Sequence, residues 1–142
     1  MLSPERELKH VIYGPSGDAP PDGAELDKLS YPGGEEALAR ARQVLSAVLR
    51  SQPLPDWFTA QCVDDAAIRD CEIERWSLRA WKYWLEPENR RWWWWNATTD
   101  GDRIELTAVI RSRPYLRGSI DWLFKASAQG RVGNPPEPSG SG

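Results

Sequence analysis

The stretch WWWWNATTDGDRIELTAVI, from Trp92 to Ile110, decides the fold that the sequence predicts. Asp100-Gly101 is a strong signal for a two-residue hairpin turn, because a type I′ turn needs a positive φ at both central positions. Beyond this turn, apolar and polar residues alternate as they do in a strand with one buried face. The stretch therefore predicts an antiparallel hairpin whose second strand turns four apolar residues to the core: Ile104, Leu106, Ala108 and Ile110.

The four consecutive tryptophans are predicted to divide between the two faces of this hairpin. Successive side chains of a strand point to opposite faces of a sheet, so two tryptophans face the core and two face away from it. With Asp100-Gly101 as the turn, Trp93 and Trp95 point into the core. Trp92 and Trp94 then share the outer face of the sheet.

Residues 73–86 supply the next predicted strand. The segment is dense in tryptophan and tyrosine and fits a period of two, which favours a long strand, although a long helix is the alternative. The strand interpretation turns Trp76 and Trp84 inward. It places Trp81 and Tyr83 on the outer face, beside the outer pair of the four consecutive tryptophans.

A fourth strand is predicted near the N-terminus. Residues 8–13 are short, partly β-branched and aromatic, and they end at a Gly-Pro turn. Together with a meander over 73–112, they give an antiparallel sheet of about four strands. Residues 14–33 are rich in glycine and proline and are predicted to form a long loop within the domain.

Two main helices complete the predicted α+β fold. Residues 34–51 and 119–128 carry apolar residues at helical spacing, and Ser119 is the expected N-cap of the second helix. Both helices are expected to pack on one face of the sheet, giving two layers. We expect residues 1–129 to form a single globular domain and residues 130–142 to form a flexible tail of glycine, proline and serine.

An open outer face follows from this architecture, because two helices cover only one side of the sheet. That face would carry an aromatic patch interleaved with arginines, and such a patch needs either a cover or a partner. The alternative is that residues 14–33, or the turn over 55–62, fold over it and form a second small core. The predicted binding residues are Arg79, Trp81, Tyr83, Arg90, Trp92, Trp94 and Arg111.

Protein contact is the interaction that this patch favours, because tryptophan, tyrosine and arginine dominate binding hot spots. The sequence predicts a small non-enzymatic bacterial module of the adaptor, immunity, antitoxin or defence-accessory kind, or a homodimer formed by two such faces. The alternative is a single-stranded nucleic-acid or glycan binder, since bases stack on aromatic side chains. The formal net charge of −3 disfavours nucleic acid, whose binding relies on neutralising phosphates.

A small enzyme is the second alternative, built on a Cys-His or carboxylate site. The single histidine, His10, would have to meet Cys62, Cys71 or a carboxylate in a pocket, and both cysteines are expected to be free thiols. The sequence contains neither a metal-ligand cluster nor a phosphate-loop motif, so no metal or cofactor is predicted. The N-terminus lacks the apolar region of a signal peptide, and no apolar run approaches the ~20 residues of a transmembrane helix. We therefore expect a cytoplasmic protein without membrane contact.

Overall fold

A computed structural model describes residues 2–63 and 76–129 of the chain. The described strands form one antiparallel sheet with the order β1-β3-β2. The prediction of an α+β fold is confirmed, but the described residues contain three strands and five helices instead of four strands and two main helices. The elements are α1 (Pro4–Tyr13), β1 (Glu25–Pro32), α2 (Gly34–Leu49), α3 (Asp56–Thr59), α4 (Leu78–Leu85), β2 (Trp92–Asp100), β3 (Arg103–Ile110) and α5 (Gly118–Gln129).

The hairpin of β2 and β3 forms where the sequence predicts it, with a different turn. Asp100 pairs with Arg103, so Gly101 and Asp102 make the turn, and Gly101 adopts a φ of 60°. With Asp100-Gly101 as the turn, Thr99 would pair with Asp102, whereas it pairs with Ile104, so the register is shifted by two residues. A shift of two keeps every side chain on its predicted face, so Ala97 still points into the core.

A β-bulge then reverses the faces of the tryptophans. The register changes between Trp94 and Asn96, and Trp94 lies opposite Ala108. The extra residue of a bulge moves all preceding side chains to the other face. Trp92 and Trp94 therefore join the main core, whereas the sequence had predicted this position for the other two tryptophans of the run.

The other face of the sheet is covered at its tryptophan end. Trp93 and Trp95 are 3% and 5% exposed and form a second cluster with Leu2 and Val109, against which Ala24 also packs. Leu2 precedes α1, and Ala24 lies just before β1. A second small core is therefore present on this face, and Leu2 contributes to it as well as Ala24 of the 14–33 segment.

Two strand predictions are corrected. Residues 8–13 belong to α1, because Ser3 caps this helix by accepting a hydrogen bond from the Arg6 N–H at 3.2 Å, and Pro4 suits its first position. The predicted strand over 73–86 is wrong for its described part, in which α4 begins after the N-cap Ser77. These helix-start signals outweigh the β-branched and aromatic composition.

The 14–33 segment also differs from its prediction. Instead of remaining a loop, it contains β1, which pairs along its whole length with β3. Leu29 and Tyr31 are buried, whereas the residues between and beside them are more exposed. This alternation is that of an edge strand with one face on the core.

The two main predicted helices form as α2 and α5, with slightly different bounds. Both pack against the same face of the sheet and against each other, and the inner stripe of α5 is fully buried. Ser119 is not the N-cap that was predicted, because it lies inside α5 with its hydroxyl turned to the core. The predicted tail over 130–142 lies outside the described residues. Within 2–63 and 76–129, no helix has both the length and the apolar character needed to cross a bilayer.

Candidate functional site

Three of the predicted binding residues are buried in the main core. Trp81, Trp92 and Trp94 are each 0% exposed. The indole N–H of Trp81 donates to the Ser119 carbonyl oxygen at 3.0 Å, and that of Trp92 donates to the Ser119 hydroxyl at 2.9 Å. These side chains stabilise the fold and do not form the open sheet face on which the prediction rested.

Arg90 is a fourth predicted binding residue, and it forms a buried ion pair. Its two terminal nitrogens donate to the Glu7 carboxylate at 3.0 and 2.5 Å, and Glu7 also accepts from the Trp94 backbone N–H at 2.8 Å. The Arg90 guanidinium lies 4.9 Å from the ring centroid of Trp92 and 5.9 Å from that of Trp93. Glu7 thereby attaches α1 to the free edge of β2.

The other three predicted residues are exposed but separated along the chain. Arg79 and Tyr83 lie on α4, and 51% of Tyr83 is accessible. Arg111 follows β3, and its guanidinium lies 5.8 Å from the ring centroid of Trp93. The seven residues therefore do not share one surface, and a role for any of them in binding stays a prediction.

A groove between α4 and the start of α5 brings together aromatic residues that sequence reasoning had placed inside the sheet. This aromatic groove has a volume of about 190 Å³. It is lined by Trp76, Trp84, Asn89, Arg91, Leu116, Gly118 and Ser119. Trp76 and Trp84 are half-buried, and the exposed ring of Tyr83 packs edge-on against Trp84 at 5.2 Å.

Gly118 explains how Trp76 reaches this position. A Cβ atom at residue 118 would lie 2.6 Å from the Trp76 ring, which is closer than real Cβ contacts. The absence of a side chain lets the indole rest directly on the first turn of α5. Sequence reasoning missed this groove, although Leu78, Trp81 and Leu85 carry the helical spacing that identifies α4 and leaves Trp84 off its buried stripe.

A second depression adjoins the groove and is rich in arginine. This arginine cleft has a volume of about 380 Å³ and shares Arg91 and Leu116 with the aromatic groove. No carboxylate of residues 2–63 or 76–129 forms an ion pair with Arg91 or Arg111. The other residues that line it are Arg90, Arg111, Ser112, Pro114 and Tyr115.

Tyr115 is a fixed wall of the arginine cleft. Its hydroxyl donates to the Asp27 carboxylate at 2.6 Å, and Arg113 donates to the other oxygen of the same group at 2.9 Å. Burial, followed by the hydrogen bond to Asp27, raises the pKa of the Tyr115 hydroxyl. The hydroxyl therefore stays protonated and hydrogen-bonded at neutral pH. Because a protonated tyrosine is uncharged, it does not offset the positive charge of the arginines that line the cleft.

Of the contacts that the enzyme alternative allows, His10 makes the one with a carboxylate and not the one with Cys62. His10 Nδ1 lies 2.9 Å from the Trp95 carbonyl oxygen, and Nε2 lies 2.9 Å from the Asp18 carboxylate. Both ring nitrogens are therefore engaged, while Cys62 donates to the Phe58 carbonyl oxygen. Cys71 lies outside the described residues.

The Asp18 carboxylate holds the loop after α1 in place. Hydrogen bonds from Arg6 first and then His10 lower the pKa of Asp18 below its usual range. A cleft of about 600 Å³ opens beside His10 and Asp18, lined by charges of both signs. Among residues 2–63 and 76–129, no group of three His, Cys, Asp or Glu side chains is placed to hold a metal ion.

Comparison with known proteins does not assign the chain to a family. No protein-family model, curated protein or solved structure matches the chain.

Proposed function

We propose that this chain is a non-enzymatic protein-binding module that seats an apolar side chain of a partner protein in the aromatic groove. The observation that supports this proposal is the groove itself, in which half-buried Trp76 and Trp84 line an opening of about 190 Å³. At its rim, Leu116 is 58% exposed. Tryptophan is among the residues most enriched in binding hot spots, and a preformed concave site loses little entropy when it is occupied.

The charges beside the groove support an acidic segment as its occupant. Arg91 lies on the boundary between groove and cleft, and Arg111 lies in the cleft, both without a carboxylate partner among the described residues. Glu86 and Glu88 lie on the turn that follows α4. We therefore expect the acidic residues of the partner to lie on the cleft side, because complementary charge sets the orientation of a bound segment.

The experiment selects peptides from a random display library on the purified chain and measures their affinity after fluorescein labelling. We expect the selected sequences to share an apolar anchor next to acidic residues. Trp84→Ala and Leu116→Ala should each weaken binding by at least about tenfold, as expected for a hot-spot residue. Leu116 is the safer variant for folding because most of its side chain is already in solvent.

Gly118→Ala gives a second test of the groove. The added methyl group must push the Trp76 ring away, which changes the shape of the groove while an alanine remains compatible with a helix. We expect weaker peptide binding with little change in the free energy of unfolding. Loss of peptide binding in a stable Gly118→Ala variant would then show that binding depends on the position of the Trp76 indole.

Tyr13→Ala is the matched control, because Tyr13 is a 76% exposed aromatic residue far from the groove in α1. Equal weakening by Tyr13→Ala and Leu116→Ala would contradict the proposal. Selection of no acidic or apolar consensus, combined with tight binding of a short oligothymidylate, would favour the nucleic-acid alternative. If sedimentation shows a dimer that Leu116→Ala converts to a monomer, the occupant is a second copy of the chain.

A further inference from the structure

We propose that the arginine cleft is an oxyanion site that takes the phosphate group of a phosphorylated side chain on the partner protein. The identity of this partner rests on the proposed function, because the cleft is continuous with the aromatic groove through Arg91 and Leu116. The phosphate site itself depends only on the residues of the cleft. The two parts of the surface can therefore be tested separately.

Two exposed arginines give the cleft its charge. Arg91 and Arg111 line it without an ion-pair partner among the described residues, and none of the residues lining the cleft is acidic. The guanidinium of Arg111 lies against the ring of Trp93, with 5.8 Å to its centroid, which limits its freedom before any ligand binds. Two guanidinium groups offer paired N–H donors that match the geometry and charge of a phosphate monoester.

Arg90 also lines the cleft but is already paired. It is 7% exposed, and Glu7 holds both of its terminal nitrogens. Its Nε is buried from solvent and donates to no acceptor in the described part of the chain, so this Hε is a nearby reporter and not a direct ligand group. The contacts with an oxyanion are therefore assigned to Arg91 and Arg111.

A single phosphate group fits this surface better than a nucleic-acid strand. Strand binding depends on several phosphate contacts along a charged track, whereas this cleft of about 380 Å³ presents two arginines, Arg91 and Arg111, that form no ion pair with the described residues. The chain as a whole carries a formal charge of −3, which would repel a polyanion. The observations therefore favour a phosphorylated protein segment.

The experiment titrates the ¹⁵N-labelled chain with inorganic phosphate and with phenyl phosphate. Arginine Nε–Hε and tryptophan indole resonances are followed by NMR. We expect the Hε resonances of Arg90, Arg91 and Arg111 to shift with both probes. Phenyl phosphate should bind more tightly than inorganic phosphate, because its ring also reaches the groove.

Arg91→Gln and Arg111→Gln should each weaken inorganic phosphate binding by about tenfold or more, as expected for the loss of a charge-assisted hydrogen bond. Both residues are exposed, so the variants should fold. Arg103→Gln is the control, since Arg103 is an exposed arginine at the start of β3, at the opposite end of the strand from the cleft. Unchanged Hε resonances, or equal weakening by Arg103→Gln, would overturn the proposal, as would tighter and Arg111-dependent binding of oligothymidylate than of phenyl phosphate.

Trp84→Ala separates this proposal from the proposed function. If Trp84→Ala removes the advantage of phenyl phosphate over inorganic phosphate, groove and cleft act together as proposed. If Trp84→Ala changes neither affinity while Arg111→Gln abolishes both, the cleft stands and the groove proposal fails. If selected peptides still need Trp84 but neither probe responds to Arg91→Gln or Arg111→Gln, the groove stands and the phosphate site is refuted.

Discussion

The ion pair between Glu7 and Arg90 should be among the most sensitive points of the fold. Glu7 is 1% exposed and accepts three hydrogen bonds, two from Arg90 and one from the Trp94 N–H. Glu7→Ala leaves the Arg90 guanidinium buried without a counter-charge. Breaking a buried pair in this way costs about 3–5 kcal/mol, a large share of the ~5–15 kcal/mol by which typical domains are stable.

Urea denaturation measures this loss, with Glu5→Ala as the control on an exposed position of the same helix. The control should stay within about 0.5 kcal/mol of wild type. Glu7→Leu combined with Arg90→Met removes both charges and should be less destabilising than Glu7→Ala alone. A Glu7→Ala variant within about 1 kcal/mol of wild type, or a double variant less stable than the single one, would refute the assigned role of the pair.

Two further predictions concern burial and pH. Both faces of the sheet are covered at its tryptophan end, so Trp93→Ala and Trp94→Ala should both destabilise the fold. For the fully buried Trp94 the expected loss is about 3–5 kcal/mol of unfolding free energy. Unchanged unfolding by urea for either variant would contradict this burial. The hydrogen bond from Tyr115 is the largest cause of the lowered pKa of Asp27. The ionised carboxylate therefore stabilises the fold at pH values above the usual Asp pKa. This stabilisation is lost as the pH falls through the lowered pKa of Asp27. Tyr115→Phe should therefore cost about 1 kcal/mol at neutral pH and flatten the acid limb of the stability profile, whereas Tyr13→Phe should follow the wild-type profile.

Local signals in the sequence predict an element correctly where its hydrophobic pattern and its turn or cap residues indicate the same structure. The alternation in β3 and the glycine at residue 101 predict the hairpin, and the apolar spacing within 34–51 and 119–128 predicts α2 and α5. These elements need little information from distant residues. The pattern of one strand or helix already fixes which side is buried.

For the remaining elements, either two local signals predict different structures and one of them outweighs the other, or contacts with distant residues determine the structure. In α1 and α4, the N-caps Ser3 and Ser77 specify a helix, although the following residues also suit a strand. The bulge near Trp95 has no local signature, because Trp92 to Trp95 are identical residues and either face could accept them. Its position coincides with two contacts from α1, the Glu7 bond to the Trp94 N–H and the His10 contact with the Trp95 carbonyl oxygen.

This coincidence links the buried tryptophans to the proposed binding surface. The α1 contacts lie at the bulge, and the bulge turns Trp92 into the core, where its indole bonds the Ser119 hydroxyl. Trp81 bonds the carbonyl oxygen of the same residue, so one core indole holds the start of α5 to α4 and the other holds it to β2. Ser119 also lines the aromatic groove. The consecutive tryptophans therefore contribute to the proposed function by positioning the groove, and the residues proposed to touch a partner lie on other segments, apart from Arg91, which directly precedes the run.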